Sequence, residues 1–129
     1  MFTIAQIKEA HSKVQSGADF PAYIQELIAL GVQGYDTFVN DGHVEYFGAD
    51  NFRAAATDTY ANITIAPSPN KERFIEFLIM HQDGQTNYLT FCNHAGQCGI
   101  AQWRVNIIEM TCTYLDQSDA AILIEKIPN

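Results

Sequence analysis

The feature that most constrains this chain is a pattern it states twice. Gly31-Val32-Gln33-Gly34-Tyr35-Asp36-Thr37-Phe38-Val39-Asn40-Asp41, running on to Tyr46, sets out a glycine, a β-branched residue, two spacers, a large aromatic, an alternating strand, an acid and a second strand holding a tyrosine. Gly99-Ile100-Ala101-Gln102-Trp103-Arg104-Val105-Asn106-Ile107-Ile108-Glu109, running on to Tyr114, repeats those types 68 positions later. The correspondence continues back through the preceding helical segments at an offset of 67: Thr3 falls on Asn70, Gly17 on Gly84 and Asp19 on Thr86. Cap meeting cap and breaker meeting breaker predicts a duplicated half-length unit. Chance likeness between similar α+β units is the competing explanation.

Within each half, periodicity suggests two helices and then strands. Thr3 is a candidate N-cap, followed at helical spacing by Ile4, Ile7, His11 and Val14, with Gly17 as the stop. Asp19 caps the next helix, Pro21 lies in its first turn, and Gly31 supplies the left-handed terminator. A two-residue Asp41-Gly42 turn would pair Val39 with Val44 and Thr37 with Tyr46. That register gathers Tyr35, Thr37, Val39, Val44 and Tyr46 on one face and leaves Asp36, Phe38, Glu45 and Phe47 on the other. Ile63-Thr64-Ile65 reads as a third short strand.

The second half opens a helix at Ser68-Pro69-Asn70, with Phe74, Phe77, Leu78 and His81 along it, and closes it at Asp83-Gly84. Thr86 is the expected cap of the fourth helix, whose stripe is Tyr88, Phe91, Cys92, Ala95 and Cys98. Trp103, Val105 and Ile107 alternate in one strand, Cys112 and Tyr114 in the next, and Ile122 to Ile127 forms the last. Glu109-Met110 is poor chemistry for a primed turn, so a longer loop is expected there.

Length and composition bound the functional classes. A chain of 129 residues buries roughly 65–70% of the surface its unfolded form exposes, enough to close a core without metal or disulfide. No apolar run approaches the roughly 20 residues of a membrane span, and the N-terminus lacks a basic region leading into an apolar stretch. Three cysteines among apolar neighbours suit the reducing cytoplasm. A formal charge of −8 disfavours a nucleic-acid partner and is explained by solubility, with a DNA-mimicking role as the minority alternative.

The segments Phe2-Thr3-Ile4-Ala5-Gln6-Ile7-Lys8, Ser16-Gly17-Ala18-Asp19-Phe20-Pro21, Tyr88-Leu89-Thr90-Phe91-Cys92, Met110-Thr111-Cys112-Thr113-Tyr114 and the ending Ile127-Pro128 form a recognisable set. Together they resemble an uncharacterised family of small bacterial and prophage-encoded proteins, sometimes labelled phage envelope protein. The resemblance covers essentially the whole chain. It implies an α+β fold and a phage connection, and assigns no activity or site.

The residues themselves name no reaction. Cys92-Asn93-His94 with Cys98 invites a zinc reading, but positions 92 and 94 of a helix point about 200° apart, and zinc needs converging ligands. Cys92, Cys98 and Cys112 therefore read as small core hydrophobes, and no metal or cofactor is expected. His11 and His81 fall on apolar helix faces and read as hydrogen-bonded core residues, His43 and His94 as surface. Asp36, Asp41, Glu45, Asp50 and Asp58 crowd one region with Arg53 and read as a solvated acidic face. No catalytic residue is assigned.

Two features point to contact instead. The third helix is apolar nearly all round, with Ile75 and Ile79 away from the Phe74 face, so it is either sandwiched or meets a partner or second copy. Phe38 and Phe47, with Phe52 and Tyr60, are candidates for a small ligand pocket. The expectation is a single α+β domain over 1–129, built of two ααβββ repeats (about 3–66 and 69–127) about an approximate two-fold, with helices covering an antiparallel sheet. One continuous sheet is preferred over two facing ones. The expected function is that of a soluble, non-enzymatic interaction protein acting through a protein partner or homodimer. A small-molecule binder or enzyme using a groove between the repeats is the alternative.

Overall fold

Thr3 and Gln6 start the chain's first helix reciprocally. The Gln6 amide donates to the Thr3 hydroxyl (3.2 Å) and the Thr3 amide to the Gln6 side chain (2.9 Å), satisfying two donors that a helix start leaves open. The computed structural model describes residues 2–14, 17–57 and 59–128. Helix α1 spans Ile4–His11, ending before the apolar stripe does. Gly17 is not its stop but the first residue of a 3-10 turn, Gly17–Asp19, that leads into α2, Phe20–Leu30. Gly31 ends α2 at φ 91°.

The second helical pair is α3, Lys71–Gln82, and α4, Tyr88–Gln97. Asn70 caps α3 by accepting from the Arg73 amide (3.1 Å). Asn87, not Thr86, caps α4, accepting from the Thr90 amide (2.8 Å). Thr86 is used elsewhere, as a partner of His81.

Six strands form one continuous antiparallel sheet: β1 Val32–Phe38, β2 Val44–Gly48, β3 Arg53–Ala56, β4 Gln102–Asn106, β5 Thr111–Leu115 and β6 Ala121–Lys126, in the order β3-β2-β1-β4-β5-β6. The fold is thus α+β, its chain order two helices and three strands, given twice. The third strand is Arg53–Ala56; Ile63-Thr64-Ile65 is irregular. That segment is a strap. Tyr60 N and Ile63 N donate to the Asp41 and Asn40 carbonyls, and Ala66 N to the Gly96 carbonyl (2.9, 2.8 and 2.9 Å). Its backbone donors are thereby spent away from any ladder.

The first hairpin differs from expectation by two residues. Tyr35 pairs with Tyr46 and Thr37 with Val44, because Val39 to Gly42 form a four-residue loop rather than a two-residue turn. Gly42 has φ 87° while Asp41 is not in the left-handed region, so a primed turn is absent. A slip of two preserves the pleat's alternation, and the expected faces survive. The second hairpin pairs Trp103 with Tyr114 and Val105 with Cys112 around a loop of the same length, with Met110 at φ 55°. Strands β1 and β4 join the two hairpins, with Asp36 opposite Arg104.

One sheet face meets the helices. Tyr35, Thr37, Val39, Tyr46, Trp103, Val105, Cys112 and Tyr114 on that face are all buried. Phe74 and Phe91 reach down from α3 and α4, with ring centroids 4.8 Å from Tyr114 and 5.5 Å from Trp103 respectively. The opposite face, with Asp36, Phe38, Glu45 and Phe47, is half-buried.

Candidate functional site

Helices and sheet do not close completely against each other. Between them lies a cavity of about 430 Å³, within the usual range for small-molecule sites. Its floor comes from the central strands: Tyr35 and Thr37 of β1, Tyr46 of β2, Trp103 of β4, and Cys112 and Tyr114 of β5. Its roof comes from all four helices, through His11, Tyr23, His81, Tyr88 and Phe91. Glu125 and the chain from Lys126 to Pro128 form one end. Both halves contribute throughout.

The polar atoms of this lining fall into two groups. Some are occupied: the Tyr23 and Tyr46 hydroxyls face each other, and the Tyr114 hydroxyl donates to Glu125 Oε1 (3.4 Å), whose Oε2 accepts from Gln82 (2.9 Å). Others are not. Tyr35 Oη, Thr37 Oγ1 and Trp103 Nε1 make no hydrogen bond to any described residue, although their residues are only 5%, 2% and 6% exposed. The one side-chain N or O atom wholly enclosed without a partner among the described residues is His94 Nδ1. The three floor atoms therefore open onto the cavity space.

Burial sets the protonation states here. It pushes the Tyr35, Tyr88 and Tyr114 hydroxyls well above the ordinary phenol value, so all stay neutral donors. The same cause lowers His11, whose residue is otherwise exposed, and the half-buried His81, which favours the uncharged imidazole in both. His81 Nδ1 lies 3.1 Å from the Thr86 carbonyl oxygen, which can only accept. That fixes the proton on Nδ1 and leaves Nε2 as an acceptor. The His81 ring stacks on Phe91 (4.4 Å, 12°), and His11 stands edge-on to Tyr23 and Tyr88 at 5.3 and 6.0 Å. The two histidines are cavity walls rather than core residues.

Cys112 lies on the floor, but burial pushes its thiol up to about 12, which leaves almost no thiolate at neutral pH. Cys92 and Cys98, at 0% and 1% exposure, pack in the core as expected. Among the described residues, no three His, Cys, Asp or Glu side chains are placed to hold a metal ion.

The aromatic pocket expected from Phe38, Phe47, Phe52 and Tyr60 does not assemble. Phe38 stacks on His43 (4.2 Å, 4°), Phe47 lies under the Arg53 guanidinium (4.8 Å), and Phe52 meets Phe2 edge-on (4.7 Å). Tyr60 donates to the Val39 carbonyl instead. Phe38 and Phe47 sit on the sheet face away from the helices, so no cleft can bring the four together.

The remaining expected sites resolve individually. His43 is held between Asp41 (2.6 Å) and Glu45 (3.6 Å) at the hairpin loop. His94 is half-buried rather than on the surface, its ring stacked on Phe77 (3.8 Å, 15°). The acidic region acquires a second base from the other half, Arg104, 2.9 Å from Asp36. Asp50 and Asn51 form a left-handed turn at φ 57° and 62°. Asp58 lies outside the described residues. On α3, Ile75 is half-buried and Ile79 is 59% exposed. No helix is long and apolar enough to cross a membrane, among the described residues.

Comparison with known proteins adds a family and no activity. No curated protein matches the chain. The profile of a family described as "Protein of unknown function (DUF1398)" matches residues 8–126, and with nearly the whole chain inside that match, the protein belongs to this family.

Proposed function

We propose that the protein binds a small organic molecule in the cavity between its helices and its sheet. The observation that carries this reading is the floor. Three polar atoms on the two central strands, Tyr35 Oη, Thr37 Oγ1 and Trp103 Nε1, make no hydrogen bond to any described residue and open onto a 430 Å³ space. Buried polar groups are satisfied in the great majority of cases, and a cluster left open beside aromatic walls suits a ligand with matching donors and acceptors.

Trp103 is the chain's only tryptophan and forms part of the floor, so it reports on occupancy. Titration with Nile red, a neutral dye, should quench Trp103 and saturate at one equivalent. Val44→Phe, which fills the cavity from β2, should abolish that binding and leave the far-ultraviolet dichroism unchanged. A titration that never saturates, or one that Val44→Phe does not affect, overturns the proposal.

Three further readings stand beside it. Association through α3, with a partner or a second copy, is supported by the exposure of Ile79; light scattering that finds only monomer at high concentration removes the self-association form. Internal duplication is supported by the hairpin registers, since Tyr35–Tyr46 and Trp103–Tyr114 correspond at the same 68-residue offset that separates Asp36 from Arg104. The cytoplasmic setting is supported by three free, buried thiols.

A further inference from the structure

We propose that the cavity is built for an organic cation, an amine-bearing aromatic or heteroaromatic molecule whose ammonium group sits beside Glu125. This rests on the cavity being a ligand site at all.

Charge is the first argument. Among the described residues, the lining contains one carboxylate, Glu125, and one lysine or arginine, Lys126. The two are consecutive in β6 and therefore point to opposite faces of the sheet. Glu125 pairs with Cys112 on the face that carries the floor, and it is half-buried, whereas Lys126 is exposed. The histidines facing the same space, His11 on α1 and His81 on α3, are shifted toward the uncharged form by desolvation. Among the described lining residues, Glu125 is thus the one carboxylate facing the cavity, and no lysine or arginine shares its face of the sheet.

Ring chemistry is the second argument. Eight of the lining residues are Tyr, Trp or Phe, and the faces of such rings attract a positive charge through their quadrupoles. An anionic ligand would meet these same negative faces and Glu125 at once, with nothing to neutralise it. Glu125 is already steadied by Gln82 and the Tyr114 hydroxyl, so its orientation is set before a ligand arrives. The ligand body is specified by the floor. Trp103 Nε1 can only donate, so the body carries an acceptor opposite it, while Tyr35 Oη accepts or donates.

The test compares a cation, its neutral isostere and an anion, all on one phenylmethyl frame. Benzyltrimethylammonium, its neutral carbon isostere neopentylbenzene, and the anion phenylacetate are titrated against Trp103 fluorescence in the wild-type protein and in Glu125→Gln. The glutamine keeps the carboxylate's size and can still meet Gln82 and Tyr114. The expected result is at least tenfold tighter binding of the cation than of the neutral isostere. Glu125→Gln should remove most of that preference and leave the neutral isostere unchanged. Neutral binding as tight as the cation's, tighter binding of the anion, or a preference that survives Glu125→Gln overturns the cation assignment while the cavity reading stands. Failure of all three probes together with Nile red overturns both.

Discussion

Thr37→Val isolates the central claim about the cavity floor. Valine has threonine's shape and β-branching, so the substitution removes a hydroxyl and leaves strand propensity and packing intact. Thr37 is 2% exposed, stands opposite Trp103 across the β1–β4 seam, and its hydroxyl has no partner among the described residues. For an ordinary buried threonine, deletion of the hydroxyl forfeits a hydrogen bond and costs about 1 kcal/mol. Here there is no internal bond to lose, while the apolar replacement no longer carries an incompletely solvated polar group. The expected change is therefore neutral to stabilising, up to about 1 kcal/mol, or a rise in Tm of about 3–5 °C for a domain of this size. Urea unfolding followed by Trp103 emission measures it. In parallel, affinity for a ligand that uses the hydroxyl should fall about tenfold, the equivalent of one neutral hydrogen bond. Destabilisation by 1 kcal/mol or more would mean that the hydroxyl is structurally engaged, and the argument from open floor atoms would fail.

Three other outcomes follow from the same geometry. A Cβ at Gly34 would lie 2.7 Å from the Val105 carbonyl oxygen, a backbone atom that cannot swing away, so Gly34→Ala should cost about 2 kcal/mol or more in urea unfolding; a smaller loss would show that the seam yields. His11, His81 and His94 are all lowered by burial first of all, so the unfolded chain binds protons there more readily than the folded one. Their stabilising contribution is complete above the ordinary histidine value and is lost as pH falls through their lowered folded values. Urea midpoints should therefore drop between about pH 7 and pH 5, and a double variant His11→Asn, His81→Asn should show a shallower drop; equal slopes would refute the assignment. Cys92, Cys98 and Cys112 should all resist a disulfide-exchange reagent in the native protein and titrate as three equivalents in denaturant; rapid native labelling of any one would contradict its burial.

Local signals carried the fold a long way. The caps at Thr3 and Asn70 and the glycine stop at Gly31 were legible because a helix end exposes backbone groups that only a few residue types satisfy. The strand faces were legible because alternation survives a register slip of two, even though Asp41-Gly42 suggested a tighter turn than the loop adopts. The strap over Gly96 was misread as a strand because Ile63-Thr64-Ile65 has strand composition. What decides its conformation is nonlocal: an approach so close that a Cβ on Gly96 would meet Ile63 Cγ2 at 2.6 Å. The cavity was invisible for a related reason. Its lining comes from nine separate helices and strands and has the same apolar periodicity as a filled core, so His11 and His81 read as core positions. One signal was present. Tyr23, Tyr35, Tyr46, Tyr88 and Tyr114 all fell on inward faces, and five inward phenols need more partners than a packed interior supplies.

The placement of β1 beside β4 has a bearing on how the chain is made. While a ribosome has delivered only the first half, β1 is the rim of a three-stranded fragment, and its row of amides and carbonyls toward β4 has nothing to bond. That edge is covered only when Gln102–Asn106 pairs with it. Premature termination before that point would leave an open template for sticking to other copies, which makes prompt arrival of the second half a safeguard against aggregation as well as the completion of the floor.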